Sequence, residues 1–205
     1  WGIVAAHGLI VIDDNDAVVI DTPAKESDTQ DLLNWLDKNE LQAKAVIATH
    51  FHGDSASGFA LLNAKNIPTY ATTLTNQLLA ENNRVQATHE IKEDSYWLVK
   101  DKVEVYYPGG GHSKDNIVVW LADTKILFGG CFVKPNHLGY LGDAVLAEWP
   151  QSTKNLLAKY ADVKYVVPGH GKMGGKELLE KTLARVVEAN KNEKVAEHWF
   201  SEFIF

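Results

Sequence analysis

The sequence predicts an α/β layered fold, with sheets covered by helices, and three observations predict it. Strand-like runs rich in β-branched and aromatic residues recur along the chain and alternate with helical patterns. The run Ala45–Ala48 is apolar without alternation, as a strand buried on both faces would be. No repeat, low-complexity tract or long linker interrupts the 205 residues, so a single domain over 1–205 is expected.

Taken in order, Ile3–Ile12 and Ala17–Asp21 read as a hairpin turned by Asp13-Asp14-Asn15-Asp16. Ser27 with Gln30 resembles a capping box, and Leu32, Leu33, Trp35 and Leu36 follow at helical spacing. The strand Ala45–Ala48 runs into Thr49-His50-Phe51-His52-Gly53-Asp54. A helix is expected over Ala56–Lys65, a strand over Pro68–Tyr70 and a helix over Thr73–Asn82. Strands are expected at Tyr96–Val99, Val103–Tyr107, Ile117–Leu121 and Lys125–Phe128. Thr153–Tyr160 reads as helix and Tyr165–Val167 as strand. Lys176–Asn190 reads as a long amphipathic helix with the stripe Leu179, Leu183, Val186 and Val187.

Composition excludes several classes. Lys and Arg number 20 against 27 Asp and Glu, and 20 − 27 gives a net charge of −7. That balance offers no basic surface to displace counterions from nucleic acid. No apolar run approaches the roughly 20 residues needed to span a bilayer. One cysteine, Cys131, excludes an internal disulfide and the usual thiolate sets of a zinc finger. The chain opens on Trp1, with no basic-plus-apolar leader before it. Its numbering is expected to begin after processing or at a cloning boundary, so no signal reports the compartment.

The chemistry concentrates at strand ends. His50, His52 and Asp54 are spaced two apart after a buried strand, so their side chains can converge. Two imidazoles and a carboxylate suit Zn²⁺; the competing reading is a polar loop that happens to hold two histidines. Gly109-Gly110-Gly111-His112, Phe128-Gly129-Gly130-Cys131 and Val167-Pro168-Gly169-His170-Gly171 each place a ligand-type residue in a Gly-rich turn just past a strand. Cys131 taken alone reads as an inert buried thiol. With the others it completes six ligands, too many for one tetrahedral zinc but enough for two open sites of three. His7, His89, His137 and His198 lack such placement and read as ordinary surface or core residues.

These motifs resemble the metallo-β-lactamase superfamily from Trp1-Gly2 to about Asn190. The segments that carry the likeness are Ile20-Asp21-Thr22-Pro23, His50-Phe51-His52-Gly53-Asp54, Gly111-His112-Ser113 with Asp115-Asn116, Gly129-Gly130-Cys131 with Lys134, and Pro168-Gly169-His170. The superfamily also holds thioesterases, nucleases and oxidoreductases. Glyoxalase II-like enzymes and the nucleases usually follow the Asp with a second His, where this chain has Ser55, and use a bridging Asp where it has Cys131. The mono-zinc lactamase subclass has Asn at the position of His50. The chain is therefore similar to the di-zinc B1 subclass, and to its imipenemase branch in Pro68-Thr69-Tyr70-Ala71 and Asn116–Leu121.

The resemblance implies an αββα sandwich, two mixed β-sheets flanked by helices. It places His50, His52 and His112 on one zinc, and Asp54, Cys131 and His170 on a second. It implies hydrolysis of penicillins, cephalosporins and carbapenems by zinc-activated water, with no covalent acyl-enzyme. Asp54 would orient that water, and Lys134 would hold the substrate carboxylate, although a surface lysine is its plain reading. Tyr140 stands where an Asn usually polarises the lactam carbonyl, and Ser113 where Thr is usual. The family's first strands and mobile hairpin loop are expected to lie before Trp1. A periplasmic monomer without nucleic-acid partners is also implied. The tail His198–Phe205 matches nothing in the family. Two rivals stand beside this reading: a superfamily thioesterase or phosphodiesterase, and a zinc-stabilised binding module without catalysis.

Overall fold

Alternation along the strands sorts the apolar side chains into three cores, and these define the layers of the molecule. The computed structural model describes residues 5–202, with side chains as far as Asn192. Ile3 and Phe203–Phe205 lie outside the described residues, and the side chain of His198 is not described.

The first sheet has the order β1-β2-β3-β4-β5, built from β1 (Leu9–Asp13), β2 (Asp16–Ile20), β3 (Gln42–Ile47), β4 (Thr69–Thr72) and β5 (His89–Ile91). β1 pairs antiparallel with β2, and β2 to β5 are parallel neighbours. The second sheet has the order β10-β9-β8-β7-β6. It comprises β6 (Ser95–Val99), β7 (Val103–Tyr106), β8 (Val118–Leu121), β9 (Ile126–Gly130) and β10 (Tyr165–Pro168). Its pairs are antiparallel from β6 to β9, and β10 joins β9 in parallel.

Val46 and Ala17 face one side of the first sheet, against Leu33 and Leu36 of α1 (Glu26–Lys38), Phe59 and Leu62 of α3 (Phe59–Ala64), and Leu79 of α4 (Thr73–Glu81). Ile20 and Ile47 face the other way and meet Val105, Val119 and Phe128 of the second sheet. Val118, Leu127 and Val166 cover the outer side of that sheet against Leu156 of α5 (Trp149–Lys159) and Leu179 and Val186 of α6 (Glu177–Glu202). The result is two mixed sheets flanked by helices, the αββα sandwich expected.

Local chemistry explains most element boundaries. Asp14 takes the left-handed φ of 54° that the β1–β2 turn requires. Thr72 caps α4 by accepting from the Thr75 N–H at 3.0 Å. Three expectations are corrected, and one strand is added. The capping box fails, because α1 starts at Glu26 behind Lys25, which makes no side-chain cap; Ser27 lies inside the helix and bonds Asp28. The single helix expected over 56–65 is two, α2 (Gly53–Ala56) and α3. Between them the Gly58 N–H goes to Thr22 Oγ1 at 2.9 Å, tying the chain to the end of β2. α5 begins at Trp149, four residues earlier than expected, with proline in its first turn. β5 was not anticipated at all.

Candidate metal centre

Six strand-end side chains meet at one edge of the sandwich. The segment after β3 supplies His50, His52 and Asp54; the β7–β8 connection supplies His112; the turns after β9 and β10 supply Cys131 and His170. Ligand-type atoms of His50, His52 and Asp54 lie within 4.8 Å of one another, as do those of Asp54, Cys131 and His170, and those of His50, His112 and Cys131. The His112 ring reaches His52 Nδ1 through Nε2 at 3.2 Å. His170 Nε2 lies 3.2 Å from Asp54 Oδ2 and 3.4 Å from Cys131 Sγ, which lies 3.5 Å from the same carboxylate oxygen. All six sequence candidates are thus brought together, and the shared members His50, Asp54 and Cys131 join the groups into one cluster.

The electrostatics of the cluster favour a cation. His50 is fully buried, and burial, helped by His52, pushes its pKa down to about 3. Burial likewise pushes His112 down to about 2. Both rings are neutral near pH 7, with a lone pair free to ligate. His50 Nε2 is buried without a hydrogen-bond partner among the described residues, a costly arrangement unless something occupies the space in front of it. Asp54 is pulled both ways: burial raises it, but the His170 hydrogen bond and the neighbouring imidazoles hold it below the usual carboxylate range. Burial pushes the Cys131 thiol well up, so without a cation it stays protonated; a coordinated metal reverses that balance. Three imidazoles, a carboxylate, a thiol and a fourth imidazole form a donor set that fits Zn²⁺.

Around the cluster lies a shell that the sequence reading did not assign. Asp21, buried at the end of β2 with φ 61°, accepts from the Thr49 N–H at 2.7 Å, from Thr49 Oγ1 at 2.8 Å and from Ser55 Oγ. Burial outweighs these bonds and raises its pKa to about 7. Ser55 thus turns inward to Asp21. Arg84 Nη1 donates to the Phe51 carbonyl at 3.0 Å, holding the loop between the two histidines. His52 Nε2 bonds Asp143 at 2.9 Å, and His170 Nδ1 bonds the Ala5 carbonyl at 2.9 Å. The only local signal among these was Asp21-Thr22-Pro23 at a strand end.

His52, Asp54, His112 and His170 line a cavity of about 600 Å³, together with Lys134, His137 and Tyr140. Lys134 is buried, which lowers its ammonium pKa. Its backbone is pinned to α6: its N–H donates to Thr182 Oγ1 at 2.9 Å, and its carbonyl accepts from Arg185 Nη1 at 3.2 Å. Tyr140 is 61% exposed at the rim, its ring edge-on to His52 at 6.1 Å between centroids. Gly142 leaves room for the phenol, since a Cβ there would collide with the Tyr140 hydroxyl. His137, read as ordinary, stands in the cavity wall, whereas His89 stacks on Tyr70 away from it.

No family model matches the chain. Relatives do. A metallo-β-lactamase type 2 from Pseudomonas aeruginosa is 49% identical over 194 residues, covering 95% of this chain and 79% of that protein. A metallo-β-lactamase type 2 from Bacteroides fragilis is 40% identical over 189 residues, covering 89% and 75%. Among solved structures, VMB-1 superposes with a TM-score of 0.91 at 45% identity, covering 93% of this chain and 88% of its own. The mono-zinc form of FIM-1 from Pseudomonas aeruginosa gives 0.87 at 32% identity, covering 92% and 86%. Likeness of this extent means that the chain belongs to the metallo-β-lactamase family, in its B1 type.

Proposed function

We propose that this chain hydrolyses the amide bond of β-lactams, namely penicillins, cephalosporins and carbapenems, and so confers resistance to them. The observation that carries the proposal is the convergence of His50, His52, Asp54, His112, Cys131 and His170 in one cluster, four of whose members (His52, Asp54, His112 and His170) line a cavity that also holds Lys134. His50, His52 and His112 would hold one zinc, and Asp54, Cys131 and His170 a second. Such ions supply a nucleophilic water at neutral pH and Lewis acidity for the carbonyl.

The chain's own residues do the positioning. The Lys134 ammonium, at the cavity wall, offers a point charge for the substrate carboxylate, and its pinned backbone keeps that charge in place. Asp54, held ionised, presents a carboxylate that orients the attacking water. Tyr140, at the rim, supplies a phenolic O–H to the oxyanion that develops on the carbonyl oxygen. The serines nearest the cluster are committed to carboxylates, Ser55 to Asp21 and Ser113 to Asp115 at 2.7 Å, which supports a route without a covalent acyl-enzyme. The same reading has one domain acting as a periplasmic monomer. It is consistent with the core shared between the sheets, and no described helix is long and apolar enough to cross a membrane.

The deciding assay offers the purified chain a carbapenem, a cephalosporin, a thioester and a phosphodiester. The expected result is turnover of the two β-lactams, abolished by a chelator and restored by zinc. Turnover confined to the thioester or phosphodiester would refute the proposal, as would zinc binding with no turnover at all.

A further inference from the structure

Three hydrogen bonds tie the first described residues to the turn that carries His170. The His7 N–H donates to the Gly169 carbonyl at 2.8 Å, the His7 ring donates from Nδ1 to the Pro168 carbonyl at 2.8 Å, and the Ala5 carbonyl accepts from His170 Nδ1 at 2.9 Å. The partners are more than 160 residues apart in the chain. Each bond acts on a different part of the turn. The two from His7 hold its backbone, and the one to Ala5 holds the ring itself.

A ring nitrogen bonded to a carbonyl must carry a proton, so with a cation bound the Ala5 carbonyl leaves His170 Nε2 as the nitrogen free to ligate. Without one, Nε2 also carries a proton, donated to Asp54. That nitrogen is the one aimed at Asp54 Oδ2 and Cys131 Sγ. The turn cannot be stiffened from within at Gly169, because a Cβ there would press on Cys131 Sγ and the Cys131 backbone nitrogen. Support has to come from outside the turn, and the segment 5–7 provides it. Ala5 also lines both the 600 Å³ cavity and a second one of about 360 Å³, with Ala24 and Asp54 common to both walls. The segment is therefore part of the partition between two cavities that each reach Asp54.

We propose that Ala5–His7 is a strap that sets the geometry of the Asp54–Cys131–His170 group, with His7 as a positioning residue acting through the Pro168–His170 turn. The proposal rests on the metal reading above. It implies that the second zinc is held in part by residues that never touch it.

The test compares the full chain with His7→Ala and His7→Asn, the latter because its side-chain amide can donate to the Pro168 carbonyl as Nδ1 does. Zinc affinity is read by competition with a chromophoric chelator, and folding by circular dichroism. For His7→Ala the expected result is an affinity for the second zinc about 10–100-fold weaker, with the first unchanged. His7→Asn should recover most of the loss. Parental affinity at both sites in folded His7→Ala would overturn the proposal, and so would equal weakening of both, which marks general loosening. Should His7→Ala not fold, nitrogen-detected NMR of the parent decides. An Nδ1–H of His170 with slow solvent exchange is expected, and a ring protonated at Nε2 alone overturns the strap. A parent that binds no zinc would refute the metal reading instead, while the tautomer still judges the strap's hold on His170.

Discussion

At Cys131 two influences oppose each other: burial favours the neutral thiol, and a cation beside it would favour the thiolate. The residue is useful to the protein only if the cation prevails. Cys131→Ser keeps the volume but replaces a soft thiolate with a poor ligand. It should lose most of the second zinc equivalent by elemental analysis while its circular dichroism is unchanged; an unaltered zinc content would remove Cys131 from the site. Ligand identity was legible at this scale, because His50, His52 and Asp54 carry their spacing in the local sequence. The residues behind them were not. Asp21 meets Thr49 across 28 positions, Asp143 meets His52 across 91, and Ala5 meets His170 across 165. Each is one polar residue or carbonyl among many, and only the folded chain distinguishes it.

Elements were read well where periodicity was strong and poorly where tertiary bonds intervene. α4 starts at Thr73, as expected, because Thr72 caps it locally. The stretch 56–65 breaks because Thr22, far away in sequence, takes the Gly58 N–H. β5 has three residues, two of them exposed, and exists because β4 offers an edge. The turns between elements carry the site, and Gly111 shows how tightly. A Cβ there would enter the Phe132 ring, so Gly111→Ala must shift the turn that presents His112. We expect about 1–3 kcal/mol of destabilisation by denaturant titration and weakened zinc binding; a neutral result would mean that the Phe132 ring yields freely. β6, β7 and α5 are joined by Glu104, which accepts from Ser95 at 2.6 Å, Lys159 at 2.9 Å and the Tyr160 hydroxyl at 3.1 Å. Burial opposes its ionisation, but these donors prevail and hold it below its ordinary 4.5. A depressed carboxylate stabilises the fold above that ordinary value and withdraws the contribution as pH falls through the lower, folded one. Melting temperature should therefore fall more steeply below pH 4.5 in the parent than in Glu104→Gln, and parallel curves would deny the role.

For the molecule as a whole, the metal centre is a cross-brace. His50, His52 and Asp54 hang from the first sheet, and His112, Cys131 and His170 from the second, so a bound ion joins layers that also share the apolar core around Ile20, Ile47 and Phe128. Zinc that binds only the folded state stabilises it by about 4 kcal/mol when free metal exceeds Kd a thousandfold. For a chain of this length that is a shift of roughly 10 °C. Chelation should lower the melting temperature by that order, and zinc should restore it; removal of the metal with no change in melting would contradict the brace. The sequence by itself determined the layered class, most of the strands and the six candidate ligands, because hydrophobic period, glycine placement and donor chemistry are local properties. Tertiary structure alone decided that those ligands form one cluster, that Lys134 faces the cavity, and that Asp21, Asp143 and the Ala5–His7 segment hold the ligands in place. The physical reason is the same throughout. A hydrogen bond between distant segments is specified by the packing of two sheets, and no window of sequence contains both of its ends.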